Sequence, residues 1–193
     1  MLKYEFSKYS QNGEDGIILE AVKYLKNQKN TFFEIGYGDG TCNNARFLIE
    51  NGWSGLGIDL FESNQVKFFS KAEYLKSLVT PQNCLDILPK DEVNFFSLDI
   101  DSYDYEIAKI YLEHGFRPSL VCLEINKRFG NQVIASFPYA EKQKKKLYHK
   151  FRVSGVSIAK YKKLWESYGY KFFGYDSSCV NVFFYNPSDF TTD

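Results

Sequence analysis

Acids close four apolar runs of this chain: Glu34 in "TFFEIG", Asp59 in "GLGIDLF", Asp99 and Asp101 in "VNFFSLDID", and Glu124 in "PSLVCLEIN". Gly36, Gly38 and Gly40 follow the first acid at alternate positions. A carboxylate at a strand end is held by a rigid element. It can accept hydrogen bonds from sugar hydroxyls, take a proton or face a cation. Glycine removes the Cβ that keeps another group off the main chain and admits positive φ. Close approach of a ligand at the glycines and proton transfer at the later acids is the chemistry this set can support.

The elements that must hold these residues follow from the apolar pattern. Ile17, Ile18, Ala21, Val22 and Leu25 recur at helical spacing, which predicts an amphipathic helix from Gly13 to about Asn27. A strand over residues 31–35 leads into the glycine turn, and "CNNARFLIEN" predicts a helix stopped by Gly52. "GLGIDLF" is a second strand, "SNQVKFFSKAEY" a helix, "LKSLVT" a third strand cut off by Pro81, and "VNFFSLDI" a fourth. "YDYEIAKIYLEHG" is a helix closed by Gly115, and "PSLVCLEIN" a fifth strand. After a segment of weak periodicity, "SIAKYKKLWESY" is helical, and "YKFFGYDSSCVNVFFYN" gives two strands joined by a short loop. Strand alternating with helix predicts a Rossmann-like, doubly wound α/β domain. Its mostly parallel seven-stranded sheet ends in an antiparallel hairpin. One domain is expected over residues 1–193, with a basic and aromatic lid-like insertion at about 127–153.

Composition narrows the function classes. The charges balance, 24 basic against 24 acidic, so a general nucleic-acid or membrane-surface binder is not expected. No apolar run approaches the ~20 residues of a spanning helix. The start of the sequence lacks the apolar stretch of a signal peptide, and a cytoplasmic location is expected. Cys42, Cys84, Cys122 and Cys179 lie far apart, without a CxxC pair, which argues against a zinc site or a disulfide framework. Cys122, inside "LVCLEI", is expected in the core.

In an open α/β sheet, ligands bind beyond the carboxyl ends of the strands, where these acids stand. Asp59, about 20 residues past the glycines, is placed to accept hydrogen bonds from ribose hydroxyls. A dinucleotide fingerprint would be GxGxxG, whereas this turn is GxGxG, and Glu34 would repel a pyrophosphate. A ligand with an ammonium and a sulfonium suits the acids better, which turns the argument from NAD to S-adenosylmethionine.

"FFEIGYGDG" followed by "GIDLF" resembles motifs I and II of class I S-adenosylmethionine-dependent methyltransferases. "YSQNGEDGIILEAV", "GDGTCNNARFLIENGW", "NFFSLDIDSYDYEI", "RPSLVCLEIN" and "SCVNVFFYN" are similar to the FkbM-like members of that group. The likeness runs from about Tyr9 to Tyr185 and implies methyl transfer to a hydroxyl, often of a glycan or other saccharide. Carried over, it implies that Gly36 and Gly38 approach the methionine part of the cofactor, with Glu34 ordering the turn. Asp59 would hold the ribose and Phe61 would lie against the adenine. Ser10, Gln11, Glu14 and Asp15 match a stretch on the cofactor side. Asn44 matches a cofactor-side Asn, with a helix cap as the equal alternative.

Asp99, Asp101, Glu124 and Asn126 resemble the oxygen ligands of metal-dependent sugar O-methyltransferases. Catalysis is therefore expected from Asp99, Asp101 and Glu124. Two forms stay open: Mg²⁺ held by Asp99, Glu124 and Asn126, or direct proton removal by Asp99 or Asp101. Asn126 stands where that metal pattern often has a second acid. Asp101 has a helix cap near Tyr103 as its alternative. Asn126, Arg128, Tyr139 and Asn181 are the expected acceptor-side residues. His114 is expected to be structural, and His149 lies in the basic insertion. A nicotinamide-dependent oxidoreductase and a non-catalytic binding protein of the same fold are the competing readings. The acceptor and the oligomeric state are not legible.

Overall fold

A computed structural model describes residues 4–40, 42–60, 71–139 and 155–191. In chain order its principal elements are α1 (Glu14–Val22), β1 (Thr31–Ile35), α2 (Arg46–Glu50), β2 (Ser54–Asp59), β3 (Ala72–Lys76), β4 (Phe95–Leu98), α3 (Asp104–Glu113), β5 (Leu120–Glu124), α4 (Ile158–Ser167), β6 (Lys171–Tyr175) and β7 (Asn181–Tyr185). The sheet has seven strands in the order β3-β2-β1-β4-β5-β7-β6. The first five in that order run parallel, and β7 pairs antiparallel with β5 and β6. Strand order reverses between β1 and β4, the switch point at which open α/β sheets place their ligands.

Bulky residues alternate between the two faces, as period-two strands buried on both sides require. Phe33, Ile35, Phe96, Leu98, Val121, Leu123 and Phe184 join the core beneath α3 and α4. Phe32, Phe95, Leu120, Cys122 and Phe183 join the core beneath α1 and α2. By the same parity, Glu34, Ser97, Glu124 and Asn181 belong to the α1/α2 face. The Phe33 and Phe96 rings stack at 5.5 Å and Phe116 meets Phe96 edge-on at 5.2 Å, fixing β1 against β4 behind the switch point.

Two expected boundaries are corrected. Residues 72–74 were expected in a helix with a strand at 75–80, but the strand is Ala72–Lys76. It is an edge strand, so it carries no continuous apolar run. Ala72 and Tyr74 are its inward residues, Tyr74 lying 5.9 Å from the Tyr37 ring. The helix expected over 42–51 is confined to Arg46–Glu50, because the backbone of residues 44 and 45 is held elsewhere. Phe61 and most of the expected insertion, residues 140–154 with His149, lie outside the described residues. No helix among the described residues is long and apolar enough to cross a membrane.

Candidate active site

The glycine turn continues β1 past its last residue. The Gly36 and Tyr37 N–H groups both donate to the Ile58 carbonyl, at 2.9 and 3.1 Å. Gly36 has φ 89°, and a Cβ there would lie 1.6 Å from the Asp99 carbonyl oxygen. Its bare backbone is therefore required by the end of β4. Gly38 has φ 64°, and no atom of the described residues beyond its chain neighbours lies within 4 Å of where its Cβ would stand, so among those residues its open side is free for a ligand. Its N–H donates to Asp59 Oδ2 at 2.8 Å. The ribose candidate and the glycine turn are thus one hydrogen-bonded unit.

Glu34 is 2 % exposed and accepts the N–H groups of Asn44 and Ala45, each at 2.9 Å. Burial pushes its carboxyl up to about 8, against the opposing pull of those two N–H groups. Glu34 therefore orders the chain that leaves the glycine turn. Asn44 is not the helix cap: the N-cap position is Ala45, and it is Asn43, two residues before it, whose Oδ1 accepts the Arg46 N–H at 3.1 Å. Asn44 Nδ2 instead donates to Ser97 Oγ at 3.0 Å and lies 3.6 Å from Cys122 Sγ, tying the loop to β4 and β5.

The catalytic candidates follow from strand register. Ile35 lies opposite Ile58 and Leu98, Leu98 opposite Leu123, and Glu124 opposite Asn181. One step toward the carboxyl edge, Asp59, Gly36, Asp99, Glu124 and Asn181 form a single row across five strands. Within it the Asp99 and Glu124 side chains hydrogen-bond to each other. Burial raises both carboxyls. Asp104 and Asp101 raise Asp99 further, and the charge of Asp99 raises Glu124. Like charges this close hold a proton between them.

Carboxyl oxygens of Asp99, Asp101 and Glu124 all lie within 4.8 Å of one another. Asp101 is exposed and has φ 58°, and it is not the helix cap. The N-cap position is Tyr103, without a side-chain cap; Asp104, fully buried, holds the preceding loop instead, its two oxygens accepting the N–H groups of Ile100 at 2.8 Å and Ser102 at 3.0 Å. Burial raises the Asp104 carboxyl to about 6. The sequence reading missed Asp104. Its position at the first residue of α3, four residues past Ile100, is the signal that an acid there can turn back on the loop.

A cavity of about 420 Å³ opens along this row, walled by Gly36, Gly38, Asp59, Val79, Asp99 and Tyr103 among others, with Gln11 at its rim. Tyr103, which sequence reading also missed as a wall, is anchored by its hydroxyl to the Val79 carbonyl at 2.7 Å. Tyr139 packs edge-on against Tyr103 at 4.8 Å and so supports the cavity from behind its first layer. A smaller chamber of about 50 Å³ shares Gln11, Gly36, Cys42 and Asp99 with the cavity and extends to Glu14, Glu34 and Asn181.

Asn181 opens β7 instead of lying between the last two strands, as expected. Its side-chain amide donates to Glu14, joining the amino-terminal segment to the terminal hairpin. That segment is folded by Asp15 Oδ2, which accepts the N–H groups of Lys8, Tyr9 and Ser10 at 2.7, 2.7 and 3.1 Å.

Asn126 lies apart from the acids. Its Oδ1 accepts the Arg128 N–H at 3.0 Å and caps the short 3-10 helix Lys127–Phe129. Arg128 is exposed, and Asn126 lines a separate hollow of about 230 Å³ with Ile125, Lys127 and Tyr175 among others. Of the expected metal set, Asp99 and Glu124 stand together with Asp101, while Asn126 caps Lys127–Phe129. His114, exposed at the end of α3, has its Nδ1 2.8 Å from the Ile110 carbonyl and is structural.

No protein-family model matches the chain, and no curated protein is similar to it in sequence. Solved structures do resemble it. The Burkholderia thailandensis 1,6-didemethyltoxoflavin-N1-methyltransferase, solved with 1,6-didemethyltoxoflavin and S-adenosylhomocysteine, superposes with a TM-score of 0.54 at 9% identity. That match covers 89% of this chain and 73% of that one. A candidate hemolysin from Lactococcus lactis gives 0.54 at 14% identity over 96% of this chain and 90% of that one. A fibrillarin/Nop5p complex gives 0.51 at 13% over 94% and 89%. The chain thus has the Rossmann-like fold of the first of these structures, with the seven-stranded mixed sheet described above. At these identities the likeness defines the fold alone.

Proposed function

We propose that this chain is an S-adenosylmethionine-dependent methyltransferase that methylates a hydroxyl of a saccharide-type acceptor. The observation that carries the reading is the row Asp59, Gly36, Asp99, Glu124 at the carboxyl edge, with a cavity of about 420 Å³ along it. In this reading Asp59, already bonded to Gly38, receives the ribose, and the open side of Gly38 lets the ligand reach the main chain. The methyl carbon then faces Asp99 and Glu124. Transfer breaks the carbon–sulfur bond of the sulfonium and forms the carbon–oxygen bond, while the hydroxyl proton passes to the Asp99–Glu124 pair. Alignment of the two reacting atoms at about 3 Å contributes several kcal/mol.

Asp99, Asp101 and Glu124 are the residues that would hold Mg²⁺, which would lower the pKa of the acceptor hydroxyl when bound, and no step above is routed through it. A nicotinamide dinucleotide is disfavoured on a particular ground. In that class a helix N-terminus faces the pyrophosphate immediately after the glycines. Here α2 begins only at Arg46, beyond a loop held by Glu34.

The test is incubation with methyl-labelled cofactor and a panel of neutral, amino and acidic saccharides. Label on a saccharide oxygen, lost in Asp99→Asn, supports the assignment. Adenosyl binding without transfer to any acceptor supports the non-catalytic alternative.

A further inference from the structure

The hollow of about 230 Å³ lies at the carboxyl edge, on the far side of the Asp99–Glu124 pair from the glycine turn. It opens where β5 and β6 end and β7 begins, and it shares no lining residue with the cavity along the acid row. Ile125 and Ile158, each 7 % exposed, form its apolar lining with Tyr175. Lys127, Asn131 and Ser178 are polar groups of the same lining.

The walls are pre-formed. The Ile125 N–H donates to the Val180 carbonyl at 2.7 Å, and the Asn126 side chain caps the turn that carries Lys127. On the hairpin side, the fully buried Asp176 carboxyl accepts the N–H groups of Val180 and Asn181, and its carbonyl accepts the Cys179 N–H at 2.9 Å. Lys127 Nζ donates to the Ser178 carbonyl at 3.1 Å and ties the two walls together. A space held in this way loses little conformational freedom when it is filled.

Charge is divided between the two spaces. The cavity along the acid row is lined by Asp59, Asp99 and Asp101, and by no lysine or arginine among the described residues. The hollow is the reverse. Among the described residues Lys127 is its one charged group, and no carboxylate lines it. Its volume falls below the ~300–1,000 Å³ of drug-sized sites, which suits one small ring and not a nucleoside with an amino-acid end. Apolar side chains bordered by ammonium, amide and hydroxyl groups suit a ring with apolar faces and a polar edge. The ammonium favours a negative charge on that ring and disfavours a positive one.

We propose that the hollow seats a second, non-reacting sugar unit of the acceptor, and that Lys127 selects a unit carrying a carboxylate. That the ring is a sugar rests on the acceptor reading above; the preference for an acid rests on Lys127. Ile125 directly follows Glu124, so the chain that brings a carboxyl to the proton-accepting pair also walls the hollow. A glycan of two units can present a hydroxyl to the pair while its neighbour is held here. The acceptor is therefore an acidic glycan longer than one unit.

Two cysteines report the two spaces separately. Cys179, half-buried, lines the hollow, and Cys42, exposed, lines the cavity. Thiol alkylation read by mass spectrometry gives the rate at each, and the buried Cys84 and Cys122 report unfolding. The probes are digalacturonate, cellobiose and the disaccharide of glucosamine. At several times its Kd, digalacturonate should slow Cys179 at least about threefold, as mass action requires, with a smaller effect on Cys42. Cellobiose should protect less at the same concentration, and the glucosamine disaccharide least. Lys127→Gln should abolish the margin of digalacturonate over cellobiose. Asn131→Trp, which sets a ring at the hollow from an exposed position, should abolish protection by all three. S-Adenosylhomocysteine should slow Cys42 alone. If it leaves Cys42 unchanged while digalacturonate protects Cys179, the cofactor reading falls and the hollow stands. Digalacturonate that protects no better than cellobiose or the glucosamine disaccharide, or not at all, overturns the proposal. So does protection of Cys179 that survives Asn131→Trp.

Discussion

Gly36 faces Asp99 so closely that a Cβ on the glycine would sit 1.6 Å from the aspartate's carbonyl oxygen. The cofactor-side turn and the first catalytic candidate are therefore a single packed contact between adjacent strands. Gly36→Ala combines this clash with φ 89° and should destabilise the protein by at least about 3 kcal/mol. Gly38→Ala meets only the left-handed backbone cost of about 1–2 kcal/mol. Thermal unfolding of the two variants checks the difference. Equal destabilisation would show that the glycines serve the fold in the same way.

Asp59→Ala removes the acceptor of the Gly38 N–H together with the proposed ribose contact. Affinity for S-adenosylhomocysteine should fall by at least about tenfold, or about 1.4 kcal/mol. Asp59→Asn keeps one acceptor oxygen and should fall less. Calorimetry decides, and an Asp59→Ala variant that binds normally would remove the ribose from this position.

Asp104→Ala leaves the buried loop N–H groups of Ile100 and Ser102 without their acceptor and should cost about 2–4 kcal/mol in urea unfolding. Asp101→Ala, at the exposed neighbour, should cost less than about 1 kcal/mol and act on turnover instead. The reverse order would show that Asp101, not Asp104, holds this loop.

The pH dependence of stability has a definite sign. Glu34 is raised from 4.5 to about 8 and Asp104 from 3.8 to about 6, both by burial. The folded state binds these protons more tightly than the unfolded chain. The resulting stabilisation is complete below about pH 4 and is lost as pH rises through about 6 and then about 8. Urea unfolding should show stability declining between about pH 5 and 8.5, by an amount on the order of 2–4 kcal/mol. Glu34→Gln should flatten the upper part of that decline. A rise in stability over the same interval would contradict the assignment.

Strand ends were legible because apolar runs stop at them, and register then brought Gly36, Asp59, Asp99 and Glu124 to one edge. The edge strand β3 was not, since Ala72–Lys76 buries too little to write an apolar pattern. Asn126 was grouped with the acids by resemblance to the ligand pattern of metal-dependent sugar O-methyltransferases. In space the chain has already left the sheet: the Asn126 N–H donates to the Val156 carbonyl and its side chain caps the next turn. Asp101 and Asp104 differ only in which turns back on the loop, a choice made by backbone geometry that residue type does not encode. Asn181 was visible as a residue, but its partner Glu14 lies 167 positions away, and no local pattern joins them.

The central claim is tested most directly by titrating the protein calorimetrically with S-adenosylmethionine, S-adenosylhomocysteine and NAD, with and without Mg²⁺. The account predicts saturable binding of both adenosyl ligands, no binding of NAD, and no change on adding Mg²⁺. Binding of NAD alone, or of none of the three, would contradict it and leave only the fold.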